Sequence, residues 1–263
     1  MTIAEIKKEL AESFGIKDTS DCVERQDLIR KLSDARENGI ATGGFSYGET
    51  LFIGNQRAPT GIVTISHGLG DSAKGWEDVA REWSSRLPHL LFVLPTAPKM
   101  SVTLNQGAVM NAWYDIKSLS NPHDEDPNIL VTSRYVTTLA YHTARRYAVP
   151  LTRVVFSGFS QGAAVSLICG LTSTVPPAAV VMMSGYFAGS SLVGPRIKNR
   201  GFDLLMCHGT QDPLLPMPIA TASKQLIEKT GINVVDFKTY AMGHSATPQE
   251  IDDVARFIAK KLP

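Results

Sequence analysis

Short apolar runs alternate with longer amphipathic stretches from about residue 49 to the end of the chain. A nearly continuous apolar run is typical of a strand that is buried on both faces of a parallel sheet. The longer stretches place their apolar side chains at helical spacing. The alternation predicts a mostly parallel sheet covered by helices on both faces. The predicted strands are residues 50–53, 62–66, 90–94, 154–157, 179–183, 203–207 and 234–240. The predicted helices are residues 74–87, 129–147, 161–171, 218–229 and 248–261.

The first forty residues have a different pattern, which predicts a small helical hairpin. The apolar residues Ile6, Leu10 and Phe14 fall on one helical face, and Gly15 ends the stretch. Thr2 and Glu5 have the spacing of a capping box at the start of this helix.

A second helix is predicted to begin after Asp21, which we expect to be its N-cap with Glu24 three residues further on. Four glycines between residues 39 and 48 then indicate a linker. The predicted organisation is a helical appendage over residues 1–40, a glycine-rich linker over 41–48 and an α/β domain over 49–263.

Residues 96–126 contain neither a clear strand nor a long helix, although they are rich in apolar side chains. A loop of this length in a compact domain is uncommon and usually functional. Two interpretations remain open, a flap that covers the core and a wall for an apolar ligand.

Composition and charge exclude several classes of protein. Hydrophobic residues make up 43% of the 263 residues and charged residues 19%, which excludes a disordered chain. The 26 basic and 25 acidic residues leave no excess positive charge for nucleic-acid binding. Three widely spaced cysteines match neither a disulfide framework nor a zinc site and are typical of a reducing compartment. The first residues lack the features of a secretory signal, and no apolar run reaches the roughly 20 residues that span a bilayer. We therefore expect a cytoplasmic protein.

The motif Gly158-Phe159-Ser160-Gln161-Gly162 follows an apolar strand and precedes an apolar helix. A strand–turn–helix with this spacing is typical of a nucleophile elbow, which predicts Ser160 as the nucleophile. A serine hydroxyl needs an adjacent base and an acid that orients it, and in this architecture they follow in the order acid, then histidine.

That order selects His244, because His208 ends a predicted strand before any loop carboxylate. Among the acids between Ser160 and His244, Asp212 alone lies in a loop at the carboxyl edge of the sheet, where ligand sites lie. The other acids fall at the wrong edge, in the middle of a helix or on the polar face of a strand: Asp203, Glu228 and Asp236.

Acyl transfer also needs donors for the developing oxyanion. The backbone N–H groups of Leu69 and Gln161 are the predicted donors, since one lies in a loop after an earlier strand and the other follows the nucleophile. Residues 68–73 also match a dinucleotide-binding fingerprint. That alternative requires an acid at the end of the next strand, and none is present there.

Taken together, several motifs in the same order resemble those of the acyl-protein thioesterases and related phospholipase/carboxylesterase enzymes. The resemblance covers about residues 50–263. Its motifs are His67-Gly68-Leu69-Gly70-Asp71, Thr103-Leu104-Asn105, Trp113-Tyr114-Asp115-Ile116, Gly158-Phe159-Ser160-Gln161-Gly162, Cys207-His208-Gly209 with Asp212-Pro213-Leu214, and Met242-Gly243-His244-Ser245.

The resemblance implies an α/β-hydrolase that removes fatty acyl groups from protein cysteine thioesters and uses no metal or organic cofactor. It implies the triad and oxyanion donors named above and an acyl channel, which we expect to be lined by Leu69, Trp113, Leu119 and Leu214. The implied substrates are S-acylated proteins or fatty-acyl esters, reached by transient contact with a membrane surface at most. An oxyester carboxylesterase or lysophospholipase is one alternative. An inert hydrolase fold that serves as an interaction protein is another.

Residues 1–40 lie outside this resemblance and are similar to SAP-like helix–loop–helix modules. Some of those modules bind nucleic acid. The nine acidic and seven basic residues here give a net charge of −2, which argues against that role. A protein partner or a stabilising role is the expectation for this appendage.

Overall fold

A seven-stranded sheet in the order β1-β3-β2-β6-β7-β8-β9 forms the centre of the chain. The computed structural model describes residues 1–22, 24–118 and 126–263. The strands are β1 (Leu51–Gly54), β2 (Gly61–Ser66), β3 (Leu90–Leu94), β4 (Lys99–Val102), β5 (Ala108–Asn111), β6 (Val154–Phe159), β7 (Ala179–Met183), β8 (Asp203–Gly209) and β9 (Asn233–Tyr240). The helices are α1 (Ile3–Phe14), α2 (Arg25–Asn38), α3 (Glu77–Arg86), α4 (Asn128–Arg146), α5 (Gln161–Thr172), α6 (Ser190–Val193), α7 (Met217–Lys229) and α8 (Pro248–Lys261).

The sheet is parallel except for β1, which pairs antiparallel with β3 at one edge. Successive side chains of the central strands enter opposite layers of the core, as the pleat requires. In β6, Val154 and Phe156 pack into the layer of α4 and α5, while Val155 packs into the layer of α3 and α8. Burial on both faces explains why the strands are continuously apolar. The predicted mostly parallel sheet with helices on both faces is confirmed.

The helices α1 and α2 pack on each other around a small apolar cluster of their own, which includes Ile6, Leu10 and Leu32. The capping box predicted at the start of α1 is present. Glu5 N–H donates to Thr2 Oγ1 at 3.2 Å and Thr2 N–H donates to Glu5 Oε2 at 2.6 Å. The pair also contacts α4, where the guanidinium of Arg134 lies 5.6 Å from the centroid of the Phe14 ring.

The connecting residues 41–48 lie against α4. Ala41 N–H donates to Thr138 Oγ1 at 2.8 Å, and the ring of Tyr47 stacks on that of Tyr135 with centroids 3.4 Å apart. Gly43 has a φ of 61°, and a side chain there would collide with Val131. The glycines therefore let this segment pack closely on the helix.

Two local predictions differ from the structure. The helix α2 begins at Arg25 and not directly after Asp21, because the Asp21 carboxylate is bonded to Lys31 Nζ at 2.6 Å. Glu24 is the N-cap instead, and the Asp27 carboxylate inside the first turn accepts its N–H at 3.0 Å. Within residues 96–126, β4 and β5 form a separate two-stranded hairpin. Only Val102 among their eight residues is buried, so no buried run marks them in the sequence.

Candidate active site

The parallel strands bring the chemically interesting loops to one edge of the sheet. Leu69 follows β2, Ser160 follows β6, Asp212 follows β8 and His244 follows β9. The carboxyl ends of parallel strands lie at the same edge, which is where ligands bind in open α/β sheets.

Ser160 lies on a sharp turn between β6 and α5. Its φ of 54° and ψ of −117° form a conformation that residues with a side chain rarely adopt. The turn is possible because its flanking residues are glycines. A side chain at Gly158 would collide with the Gly162 carbonyl, and a side chain at Gly162 would collide with the Ser66 and His67 carbonyls.

A continuous hydrogen-bonded path joins the three residues predicted as the triad. Ser160 Oγ lies 2.9 Å from His244 Nε2, and His244 Nδ1 lies 2.6 Å from Asp212 Oδ2. The Asp212 side chain is fully buried and that of His244 is 14% exposed. The structure thus brings together three side chains that are 32 and 84 residues apart along the chain.

The two carboxylate oxygens of Asp212 have separate partners. Oδ1 accepts the backbone N–H groups of Leu214 and Leu215, both at 2.9 Å, so that Oδ2 faces His244. His208 lies behind this loop and donates from Nε2 to the Leu215 carbonyl at 2.7 Å. Burial lowers the pKa of His208, which keeps its ring neutral at pH 7. His208 therefore supports the loop that carries Asp212.

The loop after β2 places Leu69 beside the elbow. Gly68, the residue before Leu69, approaches the elbow closely. A Cβ atom added to Gly68 would be in van der Waals contact with Ser160 Cβ, at 3.5 Å. Within the part of the chain that the structure describes, the backbone N–H groups of Leu69 and Gln161 have no hydrogen-bond acceptor. Two unused donors next to a nucleophile are what an oxyanion hole requires.

The imidazole of His67 fixes the shape of this loop. Its Nδ1–H donates to the Gly68 carbonyl at 2.6 Å, and its Nε2 accepts the Ala97 N–H at 3.0 Å. Burial lowers the pKa of His67, so the neutral ring can make both bonds at once. The sequence shows a histidine between a buried strand and a glycine-rich loop, and that position is the signal that could have predicted this role.

The side chain of Gln161 joins the elbow to the loop after β5. Its Oε1 accepts the Trp113 N–H at 2.8 Å, and its Nε2 donates to the Tyr114 carbonyl at 2.7 Å. Gln161 was predicted only as an oxyanion donor through its backbone. The contact of its side chain joins residues 48 positions apart and has no local sequence signal.

The structure describes three of the four residues that were predicted to line an acyl channel. The prediction for Trp113 is wrong, because its side chain is fully buried and its indole N–H donates to the His67 carbonyl at 2.9 Å. Trp113 is part of the scaffold under the oxyanion loop and does not line an open channel. Leu69 is half-buried and Leu214 is 50% exposed, so both stay predictions as contacts for an acyl chain. Leu119 lies outside the described residues.

One further contact was not expected from the sequence. The ring of Phe159, the residue before the nucleophile, packs on the His244 imidazole with centroids 4.9 Å apart. This contact and the Asp212 bond hold the imidazole from two sides. Among the described residues, no three His, Cys, Asp or Glu side chains converge to hold a metal ion.

Comparison with known proteins identifies the family of the region that contains these residues. Residues 49–262 match the Phospholipase/Carboxylesterase family. An acyl-protein thioesterase 1 homolog of Dictyostelium discoideum is 38% identical over 204 residues, which are 76% of this chain and 90% of that protein. Acyl-protein thioesterase 1 of Gibberella zeae is 35% identical over 217 residues, which are 78% of this chain and 92% of that protein.

Solved structures agree at the level of the fold. The crystal structure of Zea mays acyl-protein thioesterase 2 has a TM-score of 0.72 at 24% identity and covers 82% of this chain and all of that one. The structure of Arabidopsis thaliana SOBER1 has a TM-score of 0.71 at 26% identity and covers 77% of this chain and 99% of that one. With its elbow, its sheet and its match over residues 49–262, the chain belongs to the phospholipase/carboxylesterase family of α/β-hydrolases.

Proposed function

We propose that this enzyme removes fatty acyl groups from cysteine thioesters on proteins through a covalent acyl-enzyme. The observation that carries the proposal is the hydrogen-bonded path from Asp212 through His244 to Ser160 on a strained elbow. The similarity to acyl-protein thioesterases supports the choice of substrate.

In the first half of the reaction, Ser160 Oγ attacks the acyl carbonyl while His244 Nε2 takes the hydroxyl proton. Asp212 holds the imidazole in the tautomer that leaves Nε2 free to accept, and it stabilises the imidazolium that forms. The Leu69 and Gln161 N–H groups bind the oxyanion of the tetrahedral intermediate. Collapse of the intermediate breaks the C–S bond, and the departing thiolate takes the proton from His244.

In the second half, a water molecule gives a proton to His244 Nε2 and attacks the acyl-enzyme carbonyl. The second tetrahedral intermediate collapses as Ser160 Oγ recovers the proton. The products are the free thiol and the fatty acid, and the enzyme returns to its starting state. No step needs a metal or an organic cofactor.

The alternative substrate is an oxyester, as in a carboxylesterase or lysophospholipase. A thiol has a pKa of about 8.5, so a thiolate leaves with little help from an acid. An alkoxide depends on protonation by His244. The same triad can serve both substrates.

The test compares turnover of an S-palmitoylated peptide with that of a lysophospholipid, using the full chain. A higher kcat/KM on the peptide supports the proposal, whereas a preference for the lysophospholipid would assign an oxyester lipase. Ser160→Ala is expected to lower both rates by about 10⁴-fold or more and to abolish fluorophosphonate labelling. Ser245→Ala, an exposed serine beside His244, is the matched control and should keep its labelling.

We also propose that residues 1–40 act as a separate helical module joined through 41–48 to the catalytic domain over 49–263. Its own apolar cluster supports this division. We expect the module to contact another protein or to stabilise α4. The three free cysteines, Cys22, Cys169 and Cys207, support a cytoplasmic location. Among the described residues, none of the helices has the length and hydropathy of a transmembrane span.

A further inference from the structure

A groove of about 600 Å³ lies between the N-terminal helices and the catalytic domain. Phe14 and Arg36 line it from α1 and α2, and Arg134 and Tyr141 line it from α4. Its volume is in the range of sites for small molecules, roughly 300–1,000 Å³. The groove exists only because the two parts of the chain pack together.

The lining of this groove is strongly basic, although the chain as a whole is nearly neutral. Five of the lining residues are Lys or Arg, and none is Asp or Glu, while the chain has 26 basic and 25 acidic residues. The basic side chains are Arg36, Arg134, Arg145, Arg196 and Lys198. Cations gathered in a concave site raise the local concentration of anions.

Several of these cations are available to a ligand. Arg36 is paired with Glu9, whose Oε2 lies 2.6 Å from its guanidinium. Among the described residues, Arg134, Arg196 and Lys198 form no ion pair with a carboxylate. The Arg134 guanidinium lies over the Phe14 ring, and one nitrogen of Arg196 donates to the Leu192 carbonyl at 2.6 Å, which leaves the other N–H groups of each fork for a ligand. A guanidinium offers a planar fork of donors that matches the oxygens of a phosphate.

The groove is remote from the nucleophile. Ser160 immediately precedes α5, and Thr172 at the other end of this helix lines the groove. Twelve helical residues separate the two sites by about 18 Å. A molecule in the groove is therefore not the acyl substrate.

We propose that this groove binds a small organic polyphosphate, which bridges the N-terminal helices and the catalytic domain. The phosphates would bind Arg134, Arg196 and Lys198. Arg36, which lines the groove from α2, would contact the ligand from the side of the N-terminal helices, and the half-buried side chain of Leu130 would contact its carbon skeleton. Because the ligand touches both parts, its binding stabilises the docked position of the helices.

The test titrates the full chain with inositol trisphosphate and, separately, with tripolyphosphate by calorimetry. One site per chain is expected, and sodium sulfate at equal ionic strength should not compete. Lys198→Gln should weaken binding about tenfold, since a charge-assisted hydrogen bond is lost. Adding Arg134→Gln should weaken it about a hundredfold. Ligand should also slow hydrogen exchange in α1 and α2.

The controls separate a ligand site from a structural effect. The exposed Lys198 side chain makes no hydrogen bond or ion pair among the described residues, so its loss should not unfold the groove, and Lys198→Arg should restore affinity. Arg57→Gln removes an exposed cation outside the groove and should bind like the wild type. Hydrolysis of a small ester should be the same in all these variants.

A lipid headgroup and a free metabolite share this phosphate chemistry. Vesicles of phosphatidylcholine with phosphatidylinositol bisphosphate separate the two sources. Binding to these vesicles at the affinity of soluble inositol trisphosphate would assign the headgroup, and binding of the soluble compound alone would assign the free metabolite. Unchanged affinity in Lys198→Gln and the double variant would overturn the proposal, and so would tighter binding of a polyglutamate peptide.

Discussion

The amide side chain of Gln161 is hydrogen-bonded to the backbone of Trp113, with its Oε1 2.8 Å from the Trp113 nitrogen. The Gln161 Nε2 donates a second hydrogen bond to the Tyr114 carbonyl at 2.7 Å. One side chain next to the nucleophile therefore fixes the loop that carries the indole, and the indole in turn holds the His67 carbonyl beneath the oxyanion loop.

Gln161→Ala is expected to destabilise the enzyme by about 2–4 kcal/mol, because two buried backbone groups lose their partners. The backbone N–H of residue 161 is retained, so the loss of kcat should come from a displaced oxyanion loop. Urea unfolding and kcat on a soluble thioester measure the two effects. Gln225→Ala, at an exposed position on α7, is the control. Wild-type stability of Gln161→Ala would mean that the two side-chain hydrogen bonds of Gln161 contribute nothing to the free energy of unfolding.

Asp212→Asn is expected to lower kcat by about 10⁴-fold with little change in KM. An amide in place of the carboxylate favours the wrong tautomer of His244 and cannot stabilise the imidazolium. Steady-state kinetics on the same thioester measure this loss. Asp236→Asn replaces a half-exposed carboxylate on β9 and should leave kcat unchanged. A loss smaller than tenfold in Asp212→Asn would contradict the proposed role of Asp212.

Glu250 should make the stability of the protein fall as the pH rises. Its side chain is fully buried, and neither carboxylate oxygen has a partner in good hydrogen-bond geometry among the described residues. Burial outweighs the opposing effect of the nearby Thr247 backbone and raises the pKa of Glu250 from 4.5 to about 8. A raised carboxyl pKa means that the folded protein keeps a proton that the unfolded chain has released. The stabilisation is complete below pH 4.5 and is lost progressively as the pH rises to about 8.

Glu250→Gln should therefore be more stable than the wild type by about 2–3 kcal/mol at pH 7, with a flatter profile between pH 5 and 8. Urea unfolding at several pH values in this window measures the slope. Glu12→Gln, on the exposed face of α1, should keep the wild-type profile. Parallel profiles for the wild type and Glu250→Gln would show that Glu250 is ionised in the folded protein.

Removal of residues 1–40 should change kcat/KM on a small soluble ester by no more than about three-fold. The groups assigned to catalysis all lie after β2, and local opening of a small module need not reach them. The full chain with Leu10→Ala, which leaves a cavity in the module's own core, should behave in the same way. Loss of activity in a truncated chain that still shows a cooperative unfolding transition would tie the module to catalysis.

The sequence predicts best where the physical cause is local or periodic. The alternation of apolar runs is sufficient to place the seven strands of the main sheet and the helices between them along the chain. The capping box at Thr2 and Glu5 is readable because both partners lie in one helical turn. The start of α2 cannot be read from the sequence in this way. It is decided by the contact between Asp21 and Lys31, which are ten residues apart.

The same distinction applies to the site. The glycines around Ser160 report a tight turn directly, so the elbow can be recognised without a structure. The buried position of Trp113 depends on contacts to His67 and Gln161, which are 46 and 48 residues away along the chain. No pattern near Trp113 distinguishes an indole that lines a channel from one that supports a loop.

The close approach of Gly162 to the carbonyls of Ser66 and His67 has a consequence for enzyme engineering. The nucleophile turn and the oxyanion loop touch backbone to backbone, with no side chain between them that a mutation could resize. Substitution libraries at residues 158 and 162 should therefore yield misfolded chains and no altered selectivity. Diversity aimed at substrate range is better placed at Leu214, which is half exposed and whose backbone is anchored to Asp212.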